Sequence, residues 1–236
     1  MRDIPMAPNS SDEQLGLRER KKKESMARLF AAARQLIWEK GYDAVTTKEI
    51  ASQADIGEAT LFRYVPSKLD LFLLIYSEEF ERVIDDCEAQ DAKFLLEDST
   101  DPEQYVRRIV ESYRMLAELY TKYPELAYTY VKESFGSLGD IGQSGLAHAD
   151  RWFGLLDSIL RQGQKAGVLV DVDPSTVVQN CHALYVHEVL RSHARSLSPS
   201  EMPSRLCQRL EVLLLPLQVL PRAQWVERLR RTRRRR

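Results

Sequence analysis

Residues 46–68 constrain the fold more than any other part of the chain, because they specify two short helices separated by a tight turn. Thr46 and Glu49 have the Thr-x-x-Glu spacing of a capping box, so we expect a helix to begin directly after Thr46. Residues 55–57, Asp-Ile-Gly, then interrupt the apolar pattern with types that tolerate a left-handed or extended backbone. The first helix is therefore about two turns long.

A second short helix is predicted over residues 58–64, with Leu61 as its inward anchor. Pro66 ends this helix, since a residue before proline disfavours the helical conformation. Ser67 and Asp70 repeat the capping spacing, which predicts that a long helix begins directly after Ser67.

A third helix must pack across these two, because helices this short are not stable alone. Residues 24–40 supply it, with one apolar stripe at helical spacing. The three helices predict a helix-turn-helix unit, whose second short helix enters the DNA major groove. The stripe consists of Met26, Leu29, Phe30, Ala33, Leu36 and Ile37.

These residues resemble the DNA-binding domain of TetR-type (tetracycline-repressor-like) bacterial transcription regulators. The resemblance covers residues 24–75 and departs from the family pattern at Asp55, Gly57 and Val65, where Gly, Ser and Phe are common. The matching positions are Gly41, Tyr42, Thr46, Thr47, Ile50, Ala51, Ala54, Ile56, Thr60, Leu61, Phe62, Tyr64, Ser67, Lys68 and Leu71.

The resemblance implies two sets of DNA contacts, of which phosphate contacts position the protein and base contacts specify the sequence. The phosphate set is Thr47, Thr60, Tyr64 and Lys68, and the base-facing set is Lys48, Glu58, Ala59, Phe62 and Arg63.

The base-facing set has side chains suited to reading base edges. Arg63 can pair with guanine, and Ala59 and Phe62 can touch a thymine methyl group. Glu58 either accepts a hydrogen bond from cytosine or favours the helix N-terminus electrostatically. Phe62 is alternatively part of the core.

Charge is segregated along the chain. Residues 18–68 contain 11 basic and 7 acidic residues, residues 69–221 contain 14 and 24, and residues 222–236 contain eight arginines and one glutamate. A basic module before an acidic body is expected when only the first part meets a polyanion. We therefore divide the chain into a disordered tail (1–17), a DNA-binding domain (18–67), an effector-binding and dimerisation domain (68–221) and an arginine-rich tail (222–236).

Two basic segments outside the predicted helix-turn-helix unit are further candidates for contact with DNA. Residues 17–23, LRERKKK, either lie along DNA as an N-terminal arm or form a solvated helix extension. The arginine-rich tail can add non-specific DNA affinity.

The body is predicted to be entirely helical, which makes the fold class all-α. The clearest break is expected at residues 136–145, followed by a long helix over 146–166 that Gly167 caps. The last two helices are expected at 175–196 and 200–220, with Pro216 kinking or shortening the second.

A homodimer is expected because a helix-turn-helix reader usually needs two copies to span two half-sites. The resemblance implies that the last two helices make the contact, although both helices can also simply complete the core. The predicted interface residues are Cys181, Leu184, Tyr185, Glu188, Leu206, Leu210, Leu213 and Leu217.

The resemblance also implies a small-molecule effector bound among the middle helices, which are rich in tyrosine. Tyrosine at helical spacing is alternatively core. The candidate ligand-binding residues are Tyr113, Tyr120, Tyr128, His148 and Trp152, with Tyr130 nearby. We expect no cofactor and no metal, since His182 and His187 are five residues apart rather than four.

Composition favours a cytoplasmic, non-membrane protein. No run of 18 apolar residues or signal peptide is evident, and three scattered cysteines argue against a disulfide framework. The leading function is a dimeric repressor of a palindromic operator that a small molecule releases. The alternatives are a DNA-binding regulator controlled by a partner protein or by cysteine oxidation, and an all-helical enzyme or interaction module; no enzyme motif is present.

Overall fold

The computed structural model describes residues 10–94, 100–136 and 140–219. Over these ranges the chain is helical, as the sequence predicts, and its one β feature is an isolated bridge between Leu169 and Gln218. The described helices are α1 (Ser10–Lys40), α2 (Thr47–Gln53), α3 (Glu58–Tyr64), α4 (Lys68–Phe94), α5 (Pro102–Lys122), α6 (Pro124–Gly136), α7 (Asp140–Lys165), α8 (Pro174–Ala194) and α9 (Met202–Leu214).

The chain divides into two compact units, Met1–Ile75 and Tyr76–Arg236, so the first turns of α4 belong to the first unit. This division lies eight residues beyond the expected boundary at 67/68, because Leu71, Phe72 and Ile75 are buried. None of the helices in the described ranges is long and apolar enough to span a membrane.

The first helix begins earlier than expected. α1 starts at Ser10, so residues 10–17 are helical and the expectation of a disordered tail is wrong for them. Residues 1–9 and 220–236, which include the arginine-rich tail, lie outside the described residues.

The second unit is built on aromatic side chains buried between helices. Tyr113 and Trp152 are both fully buried, and their rings meet edge to face at 5.4 Å. The buried Arg108 guanidinium donates hydrogen bonds to Asp91 and to Gln162, which ties α4, α5 and α7 together. Removing one partner of such a buried pair is far more costly than removing a surface pair.

The helices of the second unit depart from the predicted boundaries at two places. α7 begins at Asp140, so residues 140–145 are helical and do not belong to the predicted break. α9 ends at Leu214 and is followed by a 3₁₀ turn over Leu215–Leu217. The predicted shortening at Pro216 is therefore confirmed, because proline cannot donate a backbone hydrogen bond to a continuing helix.

The end of the described chain is fixed to the link between α7 and α8. Val170 donates a backbone hydrogen bond of 2.8 Å to Leu217, and Val219 donates one of 2.9 Å to Val168. Gly167, at φ 72°, ends α7 and lets the chain turn into this link, as predicted.

Candidate nucleic-acid interface

The start of α2 is set by a complete capping box. The Thr46 hydroxyl accepts from the Glu49 N–H at 3.2 Å, and the Glu49 carboxylate accepts from the Thr46 N–H at 2.9 Å. Lys40 adds a 2.7 Å hydrogen bond and, with Thr46, lowers the pKa of Glu49 to about 2. The sequence prediction of this helix start is confirmed.

The turn between α2 and α3 uses a non-glycine residue in the left-handed region. Asp55 has φ 55°, a conformation that glycine adopts more readily. Arg28 of α1 donates to the carbonyl of Ala54 at 3.2 Å, so α1 holds the turn in place. Gly57 is the N-cap of α3 and provides no side chain to it.

α3 has one inward residue and an outward face. Leu61 is fully buried, together with Ile50 of α2 and Leu29 of α1. Ala59 and Arg63 are exposed, and 45% of Phe62 is exposed. Phe62 is therefore available to a ligand, which favours the base-facing interpretation over the core alternative.

Two predicted contact residues are bonded to each other. The Thr47 hydroxyl donates a 2.7 Å hydrogen bond to the Glu58 carboxylate, which joins the first turn of α2 to the first turn of α3. Thr47 has a single hydroxyl proton, so it cannot donate to a phosphate while this bond exists. The negative charge of Glu58 also interacts favourably with the positive N-terminal end of the α3 dipole.

Cationic residues at the end of α3 and at the start of α4 lie over aromatic rings. The Lys68 ammonium is 4.5 Å from the centre of the Tyr42 ring, and the Arg63 guanidinium is 5.6 Å from the centre of the Tyr64 ring. Tyr42 is thus a positioning residue that the predicted contact set omitted, although it belongs to the motif that carries the resemblance. Lys48 is exposed, and Thr60 and Tyr64 are half-buried.

The basic segment before α2 is part of α1. Residues 19–24 are exposed on the helix, where Arg20 and Glu24 form an ion pair at 3.7 Å. A helix does not form an extended arm in a minor groove, so contact with the DNA backbone or a solvated helix remain as the two interpretations.

Comparison with known families decides what this arrangement is. Residues 29–75 match the model of the bacterial regulatory proteins of the tetR family, and this segment contains α2, the turn and α3. The helix-turn-helix segment of this chain is therefore similar to that of TetR-family regulators.

The curated relatives match the same part of the chain. The HTH-type transcriptional repressor KstR of Rhodococcus jostii is 39% identical over 61 residues, which are 26% of this chain and 29% of that protein. The match thus spans under a third of that relative, and the likeness in sequence is confined to the part of the chain that contains the helix-turn-helix segment.

Solved structures extend the likeness in fold over most of the chain. Thermus thermophilus FadR, a TetR-family repressor in complex with lauroyl-CoA, has a TM-score of 0.59 and 22% identity, over 84% of this chain and 96% of its own. A putative regulator from Saccharomonospora viridis in complex with choline has a TM-score of 0.55 and 25% identity, over 80% of this chain and 96% of its own.

The second unit contains a small apolar cavity, of about 150 Å³, between α4, α5, α6, α7 and α8. Its lining is mainly apolar, and the lining residues with polar side-chain atoms are Tyr76, Tyr130, Asp150, His182 and Tyr185. The lining consists of Tyr76, Phe80, Leu116, Tyr130, Val131, Leu146, Ala149, Asp150, Phe153, His182 and Tyr185.

The five candidate ligand-binding residues do not line this cavity. Tyr113, Tyr120 and Trp152 are buried in the core. Tyr128 stacks on His193 at 3.6 Å, and His148 lies behind the wall, where its Nδ1 is 3.0 Å from the Tyr130 hydroxyl. The sequence did not separate these five residues from the lining of this cavity, because a tyrosine-rich pattern does not show which face of each helix borders an empty space.

Most of the predicted dimer residues lie inside the subunit. Cys181, Tyr185, Leu206 and Leu210 are buried, as is Glu188. Their side chains complete the packing of this chain, so they are not available to a second copy. Leu184, Leu213 and Leu217 are half-buried, and the exposed apolar residues of α8 and α9 include Leu190 and Val212.

Glu188 is the centre of an ion-pair network that joins α8 to α9. Its carboxylate is 3.2 Å from Arg205 and 2.9 Å from Arg209, and Arg191 lies at 3.5 Å. Because its carboxylate is fully buried, Glu188 is paired by these arginines rather than by water.

The three cysteines are buried free thiols. Burial raises the pKa of Cys87 and of Cys181 to about 12, and it also raises that of Cys207. The reactive thiolate is therefore scarce at neutral pH, which disfavours control by cysteine oxidation.

Proposed function

We propose that this chain is a cytoplasmic, homodimeric repressor of the TetR family that binds a palindromic operator and is released by a small molecule. The observation that supports this most directly is the outward face of α3. That face presents Ala59, Phe62 and Arg63 on a helix that Leu61 anchors to the core. An anchored helix with a free polar and apolar face is suited to reading base edges in a major groove.

The residues around α3 are suited to hold the phosphates on either side of the groove. Lys48 at the start of α2 and Lys68 at the start of α4 supply positive charge, and Thr60 and Tyr64 supply hydroxyl groups. Tyr42 holds the Lys68 ammonium in a cation–π contact. The Lys68 side chain therefore loses less conformational freedom when it contacts a phosphate.

A dimer is proposed because one helix-turn-helix unit covers only one half-site. The surface we assign to it is the outer face of α8 and α9. Leu190 is 41% exposed and Val212 is 70% exposed, and both lie on the side of these helices that faces away from the core. Leu190 and Val212 therefore replace the buried residues that the sequence predicted for the dimer interface.

The cavity of the second unit is the proposed effector site. Tyr76 and Phe80 line it, and both belong to α4, the helix that begins at Lys68. A ligand that displaces either ring therefore acts on α4 itself. The ligands of the two similar structures, lauroyl-CoA and choline, differ in chemistry, so neither is assigned to this chain.

The alternative of control by cysteine oxidation is disfavoured by the burial of all three thiols. Control by a partner protein remains the alternative to a small ligand. An enzymatic role has no support from the family, which consists of regulatory proteins.

The test of DNA recognition is selection of bound duplexes from a random pool, followed by titration of the best sequence at several salt concentrations. We expect a palindromic motif bound by two subunits, with affinity well above that for random DNA. Binding that is purely non-specific and steeply salt-dependent would contradict the proposal.

The dimer surface is tested separately by sedimentation. Val212→Glu is expected to convert the dimer to monomers and to lower operator affinity, since it buries a charge in an apolar contact. Val172→Glu is the matched control, because Val172 is also exposed but lies outside α8 and α9. A Val212→Glu variant that remains dimeric would show that this surface is not the dimer interface.

A further inference from the structure

Among the residues that line the cavity, His182 has a buried Nδ1 with no hydrogen-bond partner in the described part of the chain. The hydroxyl of Tyr76, a residue that is only 2% exposed, faces the hydroxyl of Tyr185. Burial, together with the nearby Tyr185 hydroxyl, raises the pKa of Tyr76 well above its usual value, so this hydroxyl keeps its proton. Because buried polar atoms are normally paired, Nδ1 of His182 is the atom that a polar group of a ligand can bond.

The size of the cavity limits what can fill it. Its volume is about 150 Å³, below the roughly 300–1,000 Å³ of sites for drug-sized molecules. An apolar cavity of about this volume holds one benzene ring. The remaining wall, which includes Phe80, Leu116, Val131 and Phe153, is suited to an apolar ring or short branched chain.

The charge of the wall limits the ligand further. Asp150 is the one carboxylate among the lining residues and lies on the exposed side, and the lining contains no lysine or arginine. Burial lowers the pKa of His182 to about 4, so its ring is neutral at pH 7. An ion placed in the cavity would lose its water without gaining a buried counter-charge, and an anion would also meet Asp150.

We infer that the occupant of this cavity is a compact, uncharged molecule of about one ring, with a hydroxyl or carbonyl group that bonds to Nδ1 of His182. The inference rests on the proposed function, since it names the ligand class of the proposed effector site. A long acyl-CoA of the kind bound to Thermus thermophilus FadR is too large and too negatively charged for this wall.

The ligand class is tested by calorimetric titration of the full chain without DNA. The probes are benzyl alcohol, which has one ring and a hydroxyl; toluene, which lacks the hydroxyl; benzoate, which is similar in size but charged; and lauroyl-CoA. We expect benzyl alcohol to bind at least about tenfold more tightly than benzoate. Toluene should bind more weakly than benzyl alcohol, and lauroyl-CoA should not compete.

Two pairs of variants locate the binding. Ala149→Phe fills the cavity and should abolish benzyl alcohol binding, whereas Ala147→Phe, at an exposed position on the same helix, should not. His182→Phe keeps a ring but removes Nδ1, so it should weaken benzyl alcohol about tenfold and leave toluene unchanged. His187→Phe is its control, since His187 is exposed on α8.

The outcomes separate this inference from the proposed function. Tighter binding of benzoate or lauroyl-CoA, lost in Ala149→Phe, would overturn the ligand class and leave a small-molecule-controlled regulator. Failure of all four probes to bind would also overturn it. Failure of the proposed function would appear instead in the DNA selection, as the absence of a specific operator.

Discussion

Thr47 and Glu58 are joined by a 2.7 Å hydrogen bond from the threonine hydroxyl to the glutamate carboxylate. The bond links a residue that the resemblance assigns to phosphate with one that it assigns to bases. In the free protein it orders the first turns of α2 and α3 against each other. DNA must break it before Thr47 can donate to a phosphate, and Glu58 then presents a negative charge to the same polyanion.

Glu58→Ala is accordingly expected to raise affinity several-fold for every duplex sequence, because it frees the Thr47 hydroxyl and removes a like charge. Fluorescence anisotropy with operator and random duplexes at several salt concentrations measures this. Asp43→Ala makes the same charge change at an exposed position before α2 and is the control. A loss of affinity confined to sequences with one particular cytosine would show instead that Glu58 reads that base.

Arg63 and Lys68 should differ in what their removal does. Arg63→Ala is expected to cost about 1–3 kcal/mol on the operator and to relax the preference at one base pair, whereas Lys68→Ala should weaken all sequences alike and lower the salt slope by about 1. Lys132→Ala, an exposed basic residue on α6, serves as the control. Equal losses on operator and random DNA for both variants would contradict these roles.

The helix-turn-helix segment was predictable to this depth because its signals are local. The capping residues Thr46 and Ser67 specify where α2 and α4 begin, and both bonds are present. The Thr47–Glu58 bond was not predictable, since it joins residues 11 apart whose proximity depends on how the turn folds.

Asp55 offers a stability test of that turn. Asp55→Gly is expected to stabilise the chain by about 0.5–1 kcal/mol, because glycine adopts φ 55° with less strain. Asp55→Ala should destabilise it by a similar amount, since alanine has neither the freedom of glycine nor a polar side chain that favours the left-handed region. Chemical denaturation of the two variants measures the difference, and a less stable glycine variant would show that the aspartate side chain stabilises the turn.

Two glycines of α7 should respond in opposite directions to alanine. A Cβ at Gly163 would lie 2.5 and 2.7 Å from two carbons of Leu169, so Gly163→Ala should destabilise the chain by about 1–3 kcal/mol. A Cβ at Gly154 meets nothing within 4 Å, so Gly154→Ala should stabilise it by up to about 1 kcal/mol. Thermal denaturation compares them, and equal effects would mean that Leu169 moves aside at little cost.

His182 should make stability depend on pH. Its pKa is lowered from 6.5 to about 4 by burial, so the fold favours the neutral ring. The stabilisation is complete above pH 6.5 and is lost as pH falls towards 4, by up to about 3 kcal/mol.

Denaturation of wild type and His182→Phe across this range isolates the effect from that of the carboxylates. The difference in slope between the two proteins should appear between pH 6.5 and 4. His187→Phe, at an exposed position on the same helix, should follow the wild type.

The second unit was less predictable than the first. Helical periodicity predicted the helices of this unit, and Pro216 predicted that α9 ends early. It did not separate Tyr113, which is buried in the core, from Tyr76, which lines the cavity, because both have apolar residues at helical spacing along their helices. For the same reason Leu206 and Leu210 were assigned to a dimer surface, although the stripe they form faces the core of their own chain.

The burial of Cys87, Cys181 and Cys207 gives the protein an unreactive background for thiol chemistry. A single cysteine placed at an exposed position such as Ala147 would therefore take up a maleimide dye or a spin label selectively. Two such labels, one on each copy of the proposed dimer, would report an intermolecular distance directly, with and without DNA, and no native cysteine would need to be removed.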